Sequence, residues 1–323
     1  MNEKLKNFLK NFIKVQAYES GKGYNMLRYS FGFIKFERKN IPKLKKLNKY
    51  YIKNPRVYLS IVCIAKDEGP YIKEWIEYHK LVGVERFYFY DNGSTDNTRE
   101  ILAPYIKDGT VVYNYIEGKC LQNLAYADAV VKYKNQTRWL AIIDLDEFIV
   151  PVEKNSISEF LKDYEKYPAV GINWVMFDSN GHQTLPLSGG GLVTANYTRV
   201  KKDYNDKINR YIKSIVNPKE VQGILDPHYS IYKNDKFAVN EKFDILYGSV
   251  SKYHTSQKIQ INHYFTKSFE EYSKKLSRGS AFNGRKKFFN ESQFNFSEYT
   301  YDYAIQKYLP ELEKRMQINM NSV

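Results

Sequence analysis

The chain has 323 residues, a mass of 38.2 kDa and 43% hydrophobic residues, enough for one large domain or two ordinary ones without disulfide or metal staples. Its formal charge is +14, but residues 1–56 hold 12 Lys and 3 Arg against three Glu, a net +12, which leaves +2 for the remaining 267 residues. The two cysteines, Cys63 and Cys120, have neither CxxC nor CxH spacing, which argues against a disulfide framework or a thiolate zinc site and fits a reducing compartment. No apolar run reaches the roughly 18 residues that span a bilayer. The opening MNEKLKNFLKNFIK also lacks the apolar block of a signal peptide, so the expectation is a cytoplasmic protein.

Near the N-terminus, Leu5, Phe8, Leu9, Phe12 and Ile13 recur at helical spacing among Lys4, Lys6, Lys10 and Lys14. Such a stripe either packs on the body or lies on an anionic membrane surface, where each Lys or Arg contributes about 1 kcal/mol. The second use would place the protein peripherally on the inner face of the cell membrane. No nucleic-acid reading motif accompanies the charge, and no nucleic-acid partner is expected. From residue 57 onward, strand-length apolar runs alternate with helical periodicity. YLSIVCIA reads as a buried strand, PYIKEWIEYHKLVG as a helix, RFYFY as a strand, and NTREILAPYI as a helix whose Asn97 and Glu100 have capping-box spacing. TVVYNYI is a third strand, LQNLAYADAVVKYK a helix and WLAIID a fourth strand. IVPVEKN is a loop, ISEFLKDYEKY a helix opened by Ser156 and Glu159, and AVGINWVMF a fifth strand. This order predicts an α/β protein with a doubly wound, mainly parallel sheet covered on both faces. SFEEYSKKLSRGSAF, opened by Ser268 and Glu271, reads as a further helix, and residues 297–316 as a C-terminal one.

Doubly wound sheets bind ligands beyond the carboxyl ends of their strands. Lys66, Asp67 and Glu68 follow the first strand, Asp91 and Asn92 the second, and Asp144, Asp146 and Glu147 the fourth. Asp144 and Asp146, at i and i+2 after an apolar run, point to one side with Leu145 turned to the core. Two such carboxylates repel unless a cation lies between them, and Mg²⁺ or Mn²⁺ completed by phosphate oxygens is the usual solution. Capping of the next turn, or pairing with Lys, is the simpler use of the same residues. There is no GxGxxG after the first strand and no GxxxxGK[ST], which argues against a dinucleotide oxidoreductase or a P-loop NTPase. Gly189, Gly190 and Gly191 read as a loop. A nucleoside diphosphate held through metal is the simplest ligand.

IVCIAKDEGPYIKEWIEYHKLVGVERFYFYDNGSTDNT, WLAIIDLDEFIVP, NWVMFDSNGH, NRYIKSIV and INHYFTKS, in that order across about residues 57–280, resemble the bacterial members of glycosyltransferase family 92, within the GT-A group. The resemblance implies a metal-dependent, inverting transferase using a UDP-sugar, most often UDP-galactose. It divides the chain into the basic segment 1–56, a GT-A domain 57–296 with a nucleotide-binding half 57–177 and an acceptor half 178–296, and a C-terminal helix 297–323. Asp144 and Asp146 would hold the metal bridging the donor diphosphate. His263 would complete the shell, although a His within IQINHYF read alone is a core residue. Asp91, with the backbone of Ala65 and Lys66, resembles the nucleoside pocket, where a carboxylate accepts the uracil N–H. Asn92 departs from the paired acid common in the wider group. Glu68 either contacts the ribose or caps the following helix.

An inverting transfer also needs a base for the acceptor hydroxyl and positive charge on the departing diphosphate. Lys213, Lys267 and Arg278 are the cation candidates, Lys213 because IKSIV resembles the family. Glu241 is the expected base and Asp178 the next candidate. Trp174 and His182 are expected on an acceptor wall, Trp174 being core otherwise. The acceptor class is a surface glycan, such as lipopolysaccharide or capsule, free or lipid-linked. A metal-dependent nucleotidyltransferase and a non-catalytic glycan-binding or scaffold protein are the competing readings of the same pattern.

Overall fold

The computed structural model describes residues 57–278 and 288–317; the basic segment with its expected membrane role lies outside the described residues. In chain order the first half comprises β1 (Val57–Ala65), α1 (Gly69–Leu81), β2 (Arg86–Asp91), α2 (Thr98–Lys107), β3 (Val111–Tyr115), α3 (Gln122–Tyr133), β4 (Thr137–Ile142), β5 (Glu147–Pro151), α4 (Ile157–Leu161) and β6 (Ala169–Met176). Then come α5 (Val193–Asn196), β7 (Arg199–Lys201), β8 (Ile212–Val216), β9 (Val221–Ile224), β10 (Ser230–Tyr232), β11 (Ala238–Val239), β12 (Ile245–Leu246) and β13 (Ile259–His263). The last elements are α6 (Phe269–Arg278), α7 (Glu291–Phe294), β14 (Tyr299–Tyr301) and α8 (Leu309–Met316).

The architecture is α/β with a mixed, mostly parallel central sheet, ordered β12-β11-β6-β8-β4-β1-β2-β3, and β13 joins it between β6 and β5. The two-residue period of β1 explains why both faces are covered. Leu59, Ile61 and Cys63 face a core built with Ile72, Trp75 and Ile76 of α1, while Val62 and Ile64 face a second core built with Ala125, Tyr126 and Ala129 of α3. Backbone carbonyls satisfy two of the buried indole and phenol groups: Trp75 Nε1 donates to Glu147 O at 2.8 Å and Tyr78 OH to Ile149 O at 3.0 Å.

The structure differs from the sequence pattern in four places. Residues 147–151, whose last three fall in the expected loop IVPVEKN, form β5, a fully buried strand antiparallel to β13. β8 runs antiparallel to both neighbours, β4 and β6. Asn97 occupies the N-cap of α2 without a side-chain bond; instead Asp96 Oδ1 accepts from Thr98 N–H and Oγ1 at 3.1 and 2.6 Å. The C-terminal helix is shorter than its periodicity predicts, because residues 299–301 pair with β7 before α8 begins at Leu309. The capping box at Ser156 does form, with Glu159 N–H donating to Ser156 Oγ at 3.1 Å.

Candidate active site

β1 and β2 end level, with Ala65 paired to Asp91 and the Asn92 N–H donating to Ala65 O at 2.9 Å. The turns beyond them are stitched together. Asp67 N–H donates to Ser94 Oγ at 3.0 Å, Thr95 N–H to Asp67 Oδ1 at 2.7 Å, and Gly69 N–H to Asp96 Oδ2 at 2.9 Å. The approach is close, since a Cβ on residue 69 would lie 2.4 Å from Asn97 Oδ1 and 2.9 Å from Asp96 Oδ2, so those side chains would have to shift. Partial burial raises the Asp96 carboxyl, but the Thr98 hydroxyl and the Gly69 N–H outweigh that and hold it below its usual range. Asp91 is buried and already engaged, accepting from Ser94 N–H at 2.8 Å and Tyr113 OH at 2.7 Å. Asn92, by contrast, has a buried Oδ1 with no hydrogen-bond partner. Such a group costs about 1–3 kcal/mol until something donates to it. Lys66 is exposed at the rim. Glu68 sits at the N-cap of α1 but makes no side-chain capping bond, which removes one of its two expected uses.

The acid pair follows β4, and each aspartate has its own cation. Asp144 receives the Lys213 ammonium on Oδ2 at 2.9 Å, with Gln122 Nε2 and Tyr126 OH, both at 2.7 Å, on Oδ1. Because β8 is antiparallel, Lys213 lies near its start and therefore beside the carboxyl end of β4. Its fully buried ammonium is also 3.5 Å from Glu147 Oε2. Glu147 is held in turn by the Asp144 N–H at 2.8 Å and the Trp174 indole at 2.7 Å. Asp146 pairs with Lys275 of α6 and lies 3.5 Å from His263 Nε2 through the same oxygen. Register explains the histidine: β13 places His263 opposite Glu147 on one side and Met176 on the other.

These contacts set the charges. Burial raises both aspartyl carboxyls, but Lys213 holds Asp144 below its usual range, and Lys275 with His263 holds Asp146 well below it. Burial, with both aspartates nearby, pushes Glu147 well up. Burial also lowers His263, against the pull of Asp146. Asp144, Asp146 and His263 are the residues here that could hold a divalent ion. Two ligands bound at right angles, each at about 2.1 Å, lie about 3 Å apart, whereas Asp146 Oδ2 and His263 Nε2 are 3.5 Å apart, so the two would have to draw together around an ion. His263 Nδ1 is buried without a hydrogen-bond partner, so it lacks the acceptor that usually orients a metal-ligating histidine through its other nitrogen. Among the described residues, no three His, Cys, Asp or Glu side chains already form a metal cluster.

The other expected residues divide. Trp174 does not form a wall: it is buried, and its ring packs 4.3 Å from His263, backing the acid corner. His182 is half-buried, edge-on to Tyr197 at 5.5 Å, with its carbonyl accepting from the first residue of α6. Asp178 lies just past the end of β6, next to His263, but Arg199 at 2.6 Å and the Phe296 N–H at 2.9 Å close over it. Glu241 is not brought to the site. Its carboxylate accepts the N–H groups of Gln257, Lys258 and Ile259 at 2.7–3.0 Å, at the opposite end of β13 from His263. Lys213 serves the buried acids and has no exposed face for a diphosphate. Lys267 stands 3.6 Å over the Tyr71 ring. Arg278 ends α6, and its side chain lies outside the described residues. Sequence reasoning missed Gln122, Tyr126 and Lys275. The i, i+4 spacing of the first two, on the helix preceding the acid strand, was the available signal.

A family model described as glycosyltransferase family 92 matches residues 60–286, and the chain belongs to that family. Similar proteins include a family 92 protein of Oryza sativa subsp. japonica, 26% identical over 160 residues, covering 48% of this chain and 26% of the rice protein. The Arabidopsis thaliana galactan β-1,4-galactosyltransferase GALS2 is 32% identical over 106 residues, covering 30% and 20% of the two chains. The chain thus spans about a quarter of the length of the curated relatives it matches. Among solved structures, S. aureus TarS 1–349 in complex with UDP aligns at 15% identity and TM-score 0.33, over 50% of this chain and 47% of TarS. Among the described residues no helix is long and apolar enough to cross a membrane.

Proposed function

We propose that the chain is a metal-dependent, inverting glycosyltransferase of GT-A type that moves a hexose, most simply galactose, from a UDP-sugar to a hydroxyl of a glycan acceptor. The observation that carries this reading is the meeting of Asp146, which follows β4, with His263 Nε2 at 3.5 Å. Asp144, Asp146 and His263 would hold Mn²⁺ or Mg²⁺, and the bound ion would offset the negative charge that develops on the leaving diphosphate. The space beyond the ends of β1 and β2 would take the nucleoside, with Asn92 Oδ1 accepting a base N–H and the stitched turns keeping its shape. Lys213 keeps Asp144 ionised and oriented, while Gln122 and Tyr126 fix the carboxylate plane from behind. Family membership and the galactosyltransferase named among the similar proteins support the hexose and its donor.

The test is titration calorimetry of the protein with UDP, with and without Mn²⁺, followed by a panel of UDP-sugars screened for hydrolysis. The expected result is metal-dependent UDP binding that Asp146→Asn weakens at least tenfold and EDTA abolishes. Absence of UDP binding with every divalent ion would overturn the reading. Pyrophosphate release in place of UDP would instead identify a nucleotidyltransferase.

A further inference from the structure

The seat a divalent ion would take on Asp146 is already held by a cation of the chain itself. Lys275 donates to Asp146 Oδ2 and to Phe265 O at 2.9 Å, with its ammonium 4.0 Å over the Phe265 ring. The oxygen it contacts is the one that lies 3.5 Å from His263 Nε2, so ammonium and metal would address the same lone pairs. Both cannot remain in contact with one carboxylate oxygen, because like charges at ion-pair distance in a partly buried site repel strongly.

The anchoring of α6 allows an exchange that moves little backbone. Its first turn is fixed by a reciprocal cap, Ser268 N–H donating to Glu271 Oε2 at 3.0 Å and Glu271 N–H to Ser268 Oγ at 3.3 Å. Tyr71 and Tyr197 hydroxyls clasp the same Glu271 carboxylate. Tyr272 is buried against Phe265, Phe289 and Phe294. Lys275, one turn further on and partly exposed, reaches Asp146 through a flexible four-carbon stem. The stem can swing while the helix start stays in place.

We propose that Lys275 is a built-in counter-ion that occupies the metal seat of Asp146 in the ion-free protein and is displaced when a divalent cation binds. Lys275 is then a positioning residue that sets the affinity for the ion. This rests on the metal site proposed above, and the experiment separates the two. Mn²⁺ binding is measured without nucleotide by electron paramagnetic resonance of free Mn²⁺, for the wild-type chain, Lys275→Met, Lys275→Arg and Lys275→Gln. Gln removes the charge while keeping a donor for Phe265 O, should Met disturb folding; melting curves report on that. The expected result is tighter Mn²⁺ binding in Met and Gln, by roughly tenfold or more, and no gain in Arg, which keeps the charge. Mn²⁺ binding only in the uncharged variants would support the proposal still more directly. Equal or weaker binding in Met and Gln, with Mn²⁺-dependent UDP binding of the wild type intact, would overturn the counter-ion role and leave the metal site standing. No Mn²⁺ binding by any variant, with or without UDP, would overturn both.

Discussion

Lys213 shows how much a single side chain carries here. It is fully buried, and among the described residues its charged neighbours at contact distance are Asp144 and Glu147. Removing one member of a buried ionic group leaves the others uncompensated, a cost of about 3–5 kcal/mol. Lys213→Met is therefore expected to lower unfolding stability by that order in urea denaturation, and to weaken UDP binding as Asp144 loses its orientation. A variant as stable as the parent would show that the ion pair is dispensable. Glu241 gives the opposite expectation for function. It accepts three consecutive backbone N–H groups, and hydrogen bonds to a charged group contribute about 1.5–3 kcal/mol. Glu241→Gln should lower the melting temperature while leaving kcat nearly unchanged in the surviving folded protein. A large loss of kcat at unchanged stability would restore it as a base. The sequence made Glu241 attractive because it lies at about the distance beyond the acid pair that the family resemblance implies; three-dimensional amide capture at a strand start has no local signature. Asp144 and Asp146 were legible because two carboxylates at a strand end need neutralising whatever surrounds them.

Among the elements, strands with continuous apolar runs were readable and short ones were not. β1, β2, β4 and β6 are each buried on both faces, so their composition announces them. β5 escaped because its five residues end at Pro151 and run into a polar loop; its strand character comes from pairing with β13, more than a hundred residues later. The antiparallel setting of β8 was equally invisible, since direction is decided by the path between strands. In β6, Gly171 marks a point of close packing with side chains of other strands of the same sheet. A Cβ there would lie 2.4 Å from a Leu246 methyl and 2.7 Å from an Ile212 methyl. Gly171→Ala should destabilise the protein by about 1–3 kcal/mol through overpacking, read by chemical denaturation. Coupling to Leu246→Ala would locate the strain, because the double variant should recover part of the loss.

For the whole molecule, acid sensitivity follows from imidazoles enclosed without charge. His79 is completely buried, its Nδ1 set against Trp75 O at 2.8 Å while Nε2 accepts the Ile149 N–H at 3.2 Å. Burial lowers His79 to about 3, and His228 and His254 to about 4. Below about pH 6.5 the unfolded chain takes up protons that the folded chain refuses. Stability is therefore fully present above that value and is lost as pH falls toward the folded values, with a slope of up to about 1.4 kcal/mol per pH unit for each histidine. His79→Gln should flatten the profile between pH 6.5 and 5 by about one such slope, measured as the difference between the two stability curves. Parallel curves would mean that His79 charges in the folded state.

The position of β13 has a consequence for the order in which the protein is made. This strand is wedged between β5 and β6, and it delivers His263 to Asp146 long after the acids and most of the central sheet have left the ribosome. A nascent chain of about 250 residues can pair β1, β2, β3 and β4, yet its exposed β5 and β6 edges still await their partner. The ion-binding corner is thus among the last parts to close, and chains interrupted before Ile259 would carry the acidic residues without the histidine that meets them.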